Sequence, residues 1–416
     1  MRLPAAWTAD DRLARAAWTR LTEPGDLLAG AVVSALGAGP ALARVASGQQ
    51  LTGECVDPEA VGPDDRGRAA RRLAAASDRW RARLDQLAPE RDLATVERLG
   101  GRLLVPGDEE WPERLADLDL GEPLALWVLG PLDLAATVQL SVAVVGSRAA
   151  SAYGEHVTGE IAAGVVDRGL SVVSGGAFGV DAVAHRAALA AGGRTLAVLA
   201  CGVDRYYPKA HEGLLRRVAA EGLVVAEVAP GSMPMRSRFL ERNRVIAAMA
   251  GGTVVVEAAW RSGALRTASV AAELGRPLGA VPGPVTSATS AGCHRLIRDV
   301  GATCVTGADE VAELVRPVGS ELPEPPPVLM ADHDGLSEGD LRVLDALPVR
   351  RGAPVERLVA VAGLTRPEVE AGLGRLHMLG LGERLTGADG PVWRRAAARR
   401  EAAPLRLAGD GSISPR

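Results

Sequence analysis

From Leu140 to Val305 the chain alternates short apolar runs with longer stretches of helical spacing, and few folds other than a parallel doubly wound sheet satisfy that rhythm. The candidate strands are Ser141 to Val145, Ser171 to Val173, Thr195 to Leu199, Leu223 to Glu227, Thr253 to Glu257, Leu278 to Val281 and Thr303 to Val305. Small or polar loops follow the first six: Gly146-Ser-Arg148, Ser174-Gly-Gly-Ala177, Cys201-Gly-Val-Asp204, Pro230-Gly231, Ala258 to Ala264, and Pro282-Gly283. In a parallel sheet these loops all emerge at the carboxyl ends of the strands, the edge where open α/β folds bind ligands.

Other patterns flank this core, which is expected to span residues 105–315. Residues 1–104 read as a helical domain, since Asp10 to Thr22, Gly25 to Leu36 and Arg66 to Leu87 carry apolar residues at helical spacing. Within it, Leu36-Gly-Ala-Gly-Pro40 resembles the glycine turn of a helix-hairpin-helix or SAM-like element. A tight turn joining two packed helices explains the same residues without any DNA contact. The proline-rich stretch 316–335 reads as a linker. Residues 336–396 show three helical patterns, Ser337 to Leu347, Pro354 to Ala362 and Thr365 to Leu379, and then a glycine-containing hairpin over Glu383 to Trp393, a winged-helix order. Its third helix carries Arg366 and Arg375 beside Glu368 and Glu370, a poor balance for gripping phosphate, so a protein-docking or structural winged helix is favoured over DNA readout. Residues 397–416 read as a disordered tail.

Composition narrows the chemistry. The net charge of −4 argues against a surface that binds polyanions everywhere, but Val138 to Ala308 hold 17 Lys and Arg against 12 Asp and Glu. Any nucleic-acid footprint is expected there. All three tyrosines and both phenylalanines (Tyr153, Phe178, Tyr206, Tyr207, Phe239) fall between residues 141 and 240, near Arg148, Arg236, Arg238, Arg242 and Arg244. Rings that stack on bases and cations that track phosphates are what a single-stranded nucleic-acid groove uses, although core filling explains each ring taken alone. Of the 47 basic residues only Lys209 is lysine, and its compact ammonium does a different job from a guanidinium fork. The four cysteines (Cys55, Cys201, Cys293, Cys304) show no CxxC spacing, so neither a disulfide framework nor a metal site is expected. No secretory pattern opens the chain and no run of 18 apolar residues occurs, which points to a cytoplasmic protein away from the membrane.

Several loops are built as anion sites. Gly146-Ser147-Arg148, followed by Tyr153-Gly154 at the start of a helix, offers free N–H groups, a hydroxyl and a guanidinium. Ser174-Gly175-Gly176 repeats the device, with Asp181 expected to cap the following helix and His185 to project from it as a hydrogen-bonded structural histidine. Arg242, Asn243 and Arg244 are expected at the opening of a helix over Val245 to Met249, where two guanidinium groups need an anion or a carboxylate nearby. Ser262-Gly263 through Thr267 supplies a further helix start. There is no GxGxxG after the first strand, no GxxxxGK[ST], no HExxH and no GxSxG, so dinucleotide, Walker-type and common hydrolytic chemistry are not indicated, and no cofactor or catalytic residue is assigned.

Taken in order, these motifs resemble the DNA-processing protein A (DprA or Smf) family. The matching text is Val144-Val-Gly-Ser-Arg148, Ser174-Gly-Gly-Ala-Phe-Gly-Val-Asp181, Tyr207-Pro-Lys209, Arg242-Asn-Arg-Val-Ile-Ala247, Val256-Glu-Ala258 to Ser262-Gly263, Thr267-Ala268 and Val281-Pro-Gly283, with Val105-Pro-Gly-Asp108 to Trp111-Pro112 as lead-in. Phe239-Leu240 and Gly292-Cys-His294 depart from the family's commoner Phe-Pro and Gly-Thr-Asn. The resemblance implies an extended Rossmann-like core between a helical N-terminal domain and a C-terminal winged helix. It also implies a homodimer that binds single-stranded DNA without cutting it and helps load the RecA recombinase in natural transformation and recombination. Arg148 and Lys209 match the family's DNA contacts, and Arg242, Asn243 and Arg244 match its RNR run. Two other readings stay open. One is a nucleoside-monophosphate phosphoribohydrolase on a related fold, whose Pro-Gly-Gly-x-Gly-Thr loop has only Ala250-Gly-Gly-Thr253 as a counterpart here. The other is an interaction scaffold acting through the winged helix.

Overall fold

The computed structural model describes residues 3–51, 66–316, 336–387 and 390–396, in two compact units, Met1–Pro323 and Glu324–Arg416. The expected linker beyond Arg316, the expected tail and Cys55 lie outside the described residues. In the first unit, aspartates start the early helices. Asp10 caps α2 (Asp11–Leu21), which follows α1 (Ala5–Ala9), by accepting from Leu13 N at 3.1 Å, and Asp26 caps α3 (Leu27–Leu36) through Leu28 N and Ala29 N. Gly37, at φ 83°, then bends the chain by 110° into α4 (Ala38–Ser47). The expected glycine turn is therefore one residue wide, and Gly39 and Pro40 already belong to α4. Trp18 of α2 meets Trp80 of α5 (Arg66–Arg81) edge to face at 5.2 Å in the centre of this helical layer. A sixth helix, α6 (Pro89–Arg98), completes it.

Among the described residues, nine strands form one sheet in the order β1-β2-β6-β5-β4-β3-β7-β8-β9. They are β1 (Gly101–Leu104), β2 (Leu126–Leu129), β3 (Ser141–Val145), β4 (Ser171–Ser174), β5 (Thr195–Leu199), β6 (Leu223–Ala226), β7 (Thr253–Val255), β8 (Leu278–Ala280) and β9 (Thr303–Cys304). From β6 to β9 the pairing is parallel, with Ser141 beside Ser171 and Val145 beside Val255. β1 and β2 correct the expectation of an all-parallel sheet, because β2 pairs antiparallel with β6 and β1 antiparallel with β2. Periodicity shows that a segment is extended but not its direction, and four-residue β1 was too short to stand out from a helical stretch.

The central strands are buried throughout, as a sheet covered on both faces requires. Successive residues serve opposite faces: Ala143 and Val145 pack with Val245, Ile246 and Met249, whereas Val142 and Val144 pack with Ile161, Val165 and Val180. Three helices thus cover one face with the strands they follow, namely α8 (Ala152–Asp167), α9 (Val180–Ala190) and α10 (Glu212–Glu221); α7 (Leu134–Gln139), α11 (Arg236–Met249) and α12 (Ala264–Glu273) cover the other. The chain leaves β3 toward one face and β7 toward the other, so these neighbouring strands form the switch point of a Rossmann-like α/β core. α13 (Ala291–Arg295) and α14 (Ala308–Val315) end the unit.

Among the described residues the second unit has three helices, α15 (Glu338–Ala346), α16 (Val355–Ala362) and α17 (Arg366–Met378), and a hairpin of β10 (Gly382–Gly387) and β11 (Gly390–Arg395). Val343, Leu344, Leu358, Val369, Leu373 and Leu376 form its own core. Among the described residues no single helix is long and apolar enough to cross a membrane.

Candidate nucleic-acid interface

The loops after β3, β4, β5 and β7 meet at the carboxyl edge of the sheet, as the alternation predicts, and they are locked to one another. Gly146 has no room for a side chain: a Cβ there would lie 2.6 Å from Val180 and 2.9 Å from the Glu257 carbonyl. Val180 N donates to Ser147 O at 3.2 Å, and Gly179, at φ 72°, brings the β4 loop so close that a Cβ would overlap that same carbonyl. Beyond this packed turn Arg148 is exposed, with its guanidinium over the Phe239 ring at 5.2 Å from the centroid. Phe239 also meets Tyr207 at 5.7 Å, and two residues further Lys209, with its side chain 85% exposed, is tied only to Glu212. An exposed pair of that kind contributes little, so the ammonium is free to exchange its carboxylate for a phosphate. Phe239 and Tyr207 therefore connect the two expected anchors.

A buried layer supports this surface. Ser174 is fully buried, its hydroxyl donating to Val144 O at 2.7 Å, and so ties β4 to β3. Arg242 is also buried and donates to the carbonyls of Gly175, at 2.7 Å, and of Val198. Burial lowers its pKa to about 10, and Asp181 opposes that shift. Burial raises the pKa of Asp181 in turn, against Arg242 and the N–H groups of Ala177 and Gly175. Two expectations are corrected here. Asp181 closes the turn behind it and does not cap α9, whose N-cap Gly179 has no side-chain partner. The Arg242-Asn-Arg244 run lies in the interior of α11, which begins at Arg236 and so is longer than Val245 to Met249. Charge repulsion is relieved by buried carbonyls and carboxylates: Arg244 pairs with Glu227, and Arg238 with Glu23, which also holds Arg83. Burial would raise the pKa of Glu23, but Arg238 and Arg83 bring it below the usual value. α11 is thereby clamped to the loop between α2 and α3.

The remaining predicted residues divide in the same way. Asn243 Nδ2 donates to Gly263 O at 3.3 Å, joining α11 to the loop after β7. Gly263 is exposed, Ser262 is half-buried and accepts from Ala264 N at 3.3 Å, and Thr267 is buried inside α12. Gly176, at φ 67°, accepts from His211 Nδ1 at 3.2 Å, and Phe178 covers the His211 ring at 4.5 Å. Arg148, Lys209, Ser147, Ser262 and Gly263 are thus at the surface, while Gly146, Ser174, Gly175, Gly176, Arg242, Arg244 and Thr267 shape or support it.

His185 is fully buried with Nδ1 2.7 Å from Thr195 Oγ1, and because that hydroxyl donates to Val172 O the ring nitrogen is its donor. Burial lowers the pKa of His185 to about 3, so the ring is neutral. Sequence reading missed Glu257: buried just beyond β7, it accepts from Ser151 N (2.8 Å), Ser151 Oγ (2.7 Å) and Thr289 Oγ1 (2.9 Å), and so fixes the floor between the β3 and β7 loops. The Val256-Glu-Ala258 text was its signal. Burial raises the thiols of Cys201 to about 11 and Cys293 to about 12, which keeps both protonated. Among the described residues no group of three or more His, Cys, Asp or Glu could hold a metal ion. In the second unit Arg375 is bound to Asp340 at 2.7 Å and Arg366 to Glu356 and Glu370 at 3.0 and 2.9 Å. The edge as a whole offers loose cations, exposed rings and turns held rigid from below, which suits it to binding an anionic, aromatic ligand.

Comparison with known proteins agrees with the layout. The family described as DNA recombination-mediator protein A matches residues 102–316. A Mycobacterium tuberculosis protein assigned as DNA processing protein DprA is 46% identical over 340 residues, covering 79% of this chain and 86% of that one. The DNA processing protein DprA of Streptococcus pneumoniae is 40% identical over 206 residues, covering 50% of this chain and 72% of that one. The X-ray structure of DNA processing protein A from Streptococcus pneumoniae superposes with a TM-score of 0.57 at 29% identity, over 76% of this chain and 99% of that one. With the switch-point loops, the Tyr-Pro-Lys turn and the RNR helix in place, the chain belongs to the DNA recombination-mediator protein A family.

Proposed function

We propose that the carboxyl edge of the sheet binds single-stranded DNA, and that the protein works as a recombination mediator that protects such strands and helps load the RecA recombinase without cutting DNA. The observation that carries this reading is the row Arg148, Phe239, Tyr207, in which a loop cation and an exposed loop ring meet on a half-buried ring of α11, with the exposed Lys209 two residues beyond Tyr207. Rings flanked by cations match a strand that presents both bases and phosphates. Family membership supports the RecA partnership, a homodimer, a cytoplasmic setting and a winged-helix reading of the second unit. Its third helix favours protein docking, since Arg366 and Arg375 share it with Glu368 and Glu370 and leave no net positive charge for phosphate. The phosphoribohydrolase reading loses its phosphate loop, because Ala250-Gly-Gly252 leads into β7 at the amino end of the strand, opposite the candidate edge.

Fluorescence anisotropy with a labelled oligothymidylate tests the reading. Arg148→Glu or Lys209→Glu is expected to weaken binding by about tenfold or more, as the loss of a charge-assisted contact implies, whereas Arg375→Glu leaves it unchanged. Log affinity should fall with log salt by about 0.7 for each phosphate neutralised. Salt-insensitive binding, or release of free base from a nucleotide, would contradict the proposal.

A further inference from the structure

The loop after β7 carries Trp260, which is 55% exposed; the other six tryptophans are buried or half-buried. An indole left in water has a cost, yet this loop is not loose. Ala258 N donates to Thr289 O at 2.8 Å, Gly292 N to Ala258 O at 2.7 Å, Ser262 N to Ala259 O at 3.0 Å, and Asn243 Nδ2 holds Gly263 O from the other side. One side of the ring is covered by the Arg295 guanidinium, 5.1 Å from the centroid. Arg261 and Arg266, exposed on the same loop and helix, have no carboxylate within ion-pair distance among the described residues. The loop is thus fixed, its ring is half-covered by a cation, and two further arginines follow within six residues.

Its place in the fold is the second point. β7 adjoins β3, and the chain leaves these two strands toward opposite faces, so the loops that carry Trp260 and Arg148 flank the switch-point crevice. From the end of β5, which leads to Lys209, to the end of β7 is three strand spacings, about 14 Å. A strand that crosses Lys209 and Arg148 in line with the sheet edge continues onto Trp260. An apolar protein partner would not choose a ring covered by one guanidinium on a segment that carries two unpaired arginines, whereas an unpaired base next to its phosphates fits both features.

We propose that Trp260 is an additional base-stacking position, which extends the strand's path from the β3 loop across the crevice to the β7 loop, with Arg295 backing the ring and Arg261 and Arg266 serving the adjoining phosphates. This rests on the reading of the edge as a single-strand site. It makes Trp260, alone among the seven tryptophans, a reporter of binding.

The test uses the full chain with a fluorescein-labelled oligothymidylate of about 16 nucleotides, long enough to pass the crevice, and with the same oligomer unlabelled for tryptophan emission. Trp260→Ala should weaken binding by about tenfold, Trp260→Phe should keep most of the affinity, and saturation should quench wild-type tryptophan emission but not that of Trp260→Phe. The exposed position makes misfolding an unlikely cause of loss, and the phenylalanine variant controls for it. Wild-type binding that Arg148→Glu abolishes and Trp260→Ala leaves intact, or saturation without quenching, overturns the Trp260 proposal alone. Failure of the wild type to bind overturns the parent reading and this one together.

Discussion

Three polar or charged residues, a site candidate, an expected cap and an expected structural histidine, are all part of the fold's interior. His185, Asp181 and Arg242 are all buried within a few residues of the exposed edge, and each has a defined hydrogen-bond partner. His185 has a measurable consequence. Its pKa in the folded state, about 3, lies below the ordinary value of 6.5, so protons favour the unfolded chain. The stabilisation is complete above pH 6.5 and is lost as pH falls toward 3. Between pH 7 and pH 5 it should cost on the order of 2 kcal/mol of folding stability, a slope that His185→Gln removes. Urea unfolding of both proteins at the two pH values gives the comparison, and parallel pH dependence would assign the acid sensitivity elsewhere. The histidine's structural role was legible from its place on an apolar helix; its partner Thr195 was not, since that contact joins a helix to a strand.

At the scale of elements, α11 organises the edge. It presents Phe239 outward to Arg148 and Tyr207, sends Arg242 inward to the loops of β4 and β5, and is held from behind by Glu227 and Glu23. Gly175 is the contact point, since a Cβ there would overlap the Arg242 guanidinium. Gly175→Ala must displace that buried cation or the helix that carries it. The expected cost is about 1–3 kcal/mol of stability, as for other overpacked sites, together with weaker single-strand binding. Thermal melting and anisotropy on the same preparation would register both. A glycine-rich loop was easy to read in the sequence as an anion cradle, but the guanidinium that occupies part of it belongs to the protein itself.

The whole molecule separates the tasks. The net charge of −4 coexists with a core in which basic residues exceed acidic ones, so the positive charge available to a polyanion is concentrated in that core. The second unit has its own core, and the two arginines of its third helix are engaged internally. A chain ending at Arg316 should therefore bind a single strand within about twofold of the full chain, the margin expected for independent sites. A large loss of affinity on truncation would instead favour an interaction scaffold in which the second unit takes part.

Sequence alone determined the alternating core and the edge at which its loops gather, because burial on both faces of a parallel sheet imposes apolar runs and crossovers impose helices between them. It read a short apolar strand before Gly130 but was silent on β1 and on the antiparallel pairing of both, since extended backbone has the same periodicity in either direction. Nor could it distinguish Arg148 and Lys209, which stay in water, from Arg242 and Arg244, which do not. That division depends on carbonyls and carboxylates brought in from distant segments, Gly175, Val198 and Glu227, and only the packed tertiary structure brings them within hydrogen-bond reach.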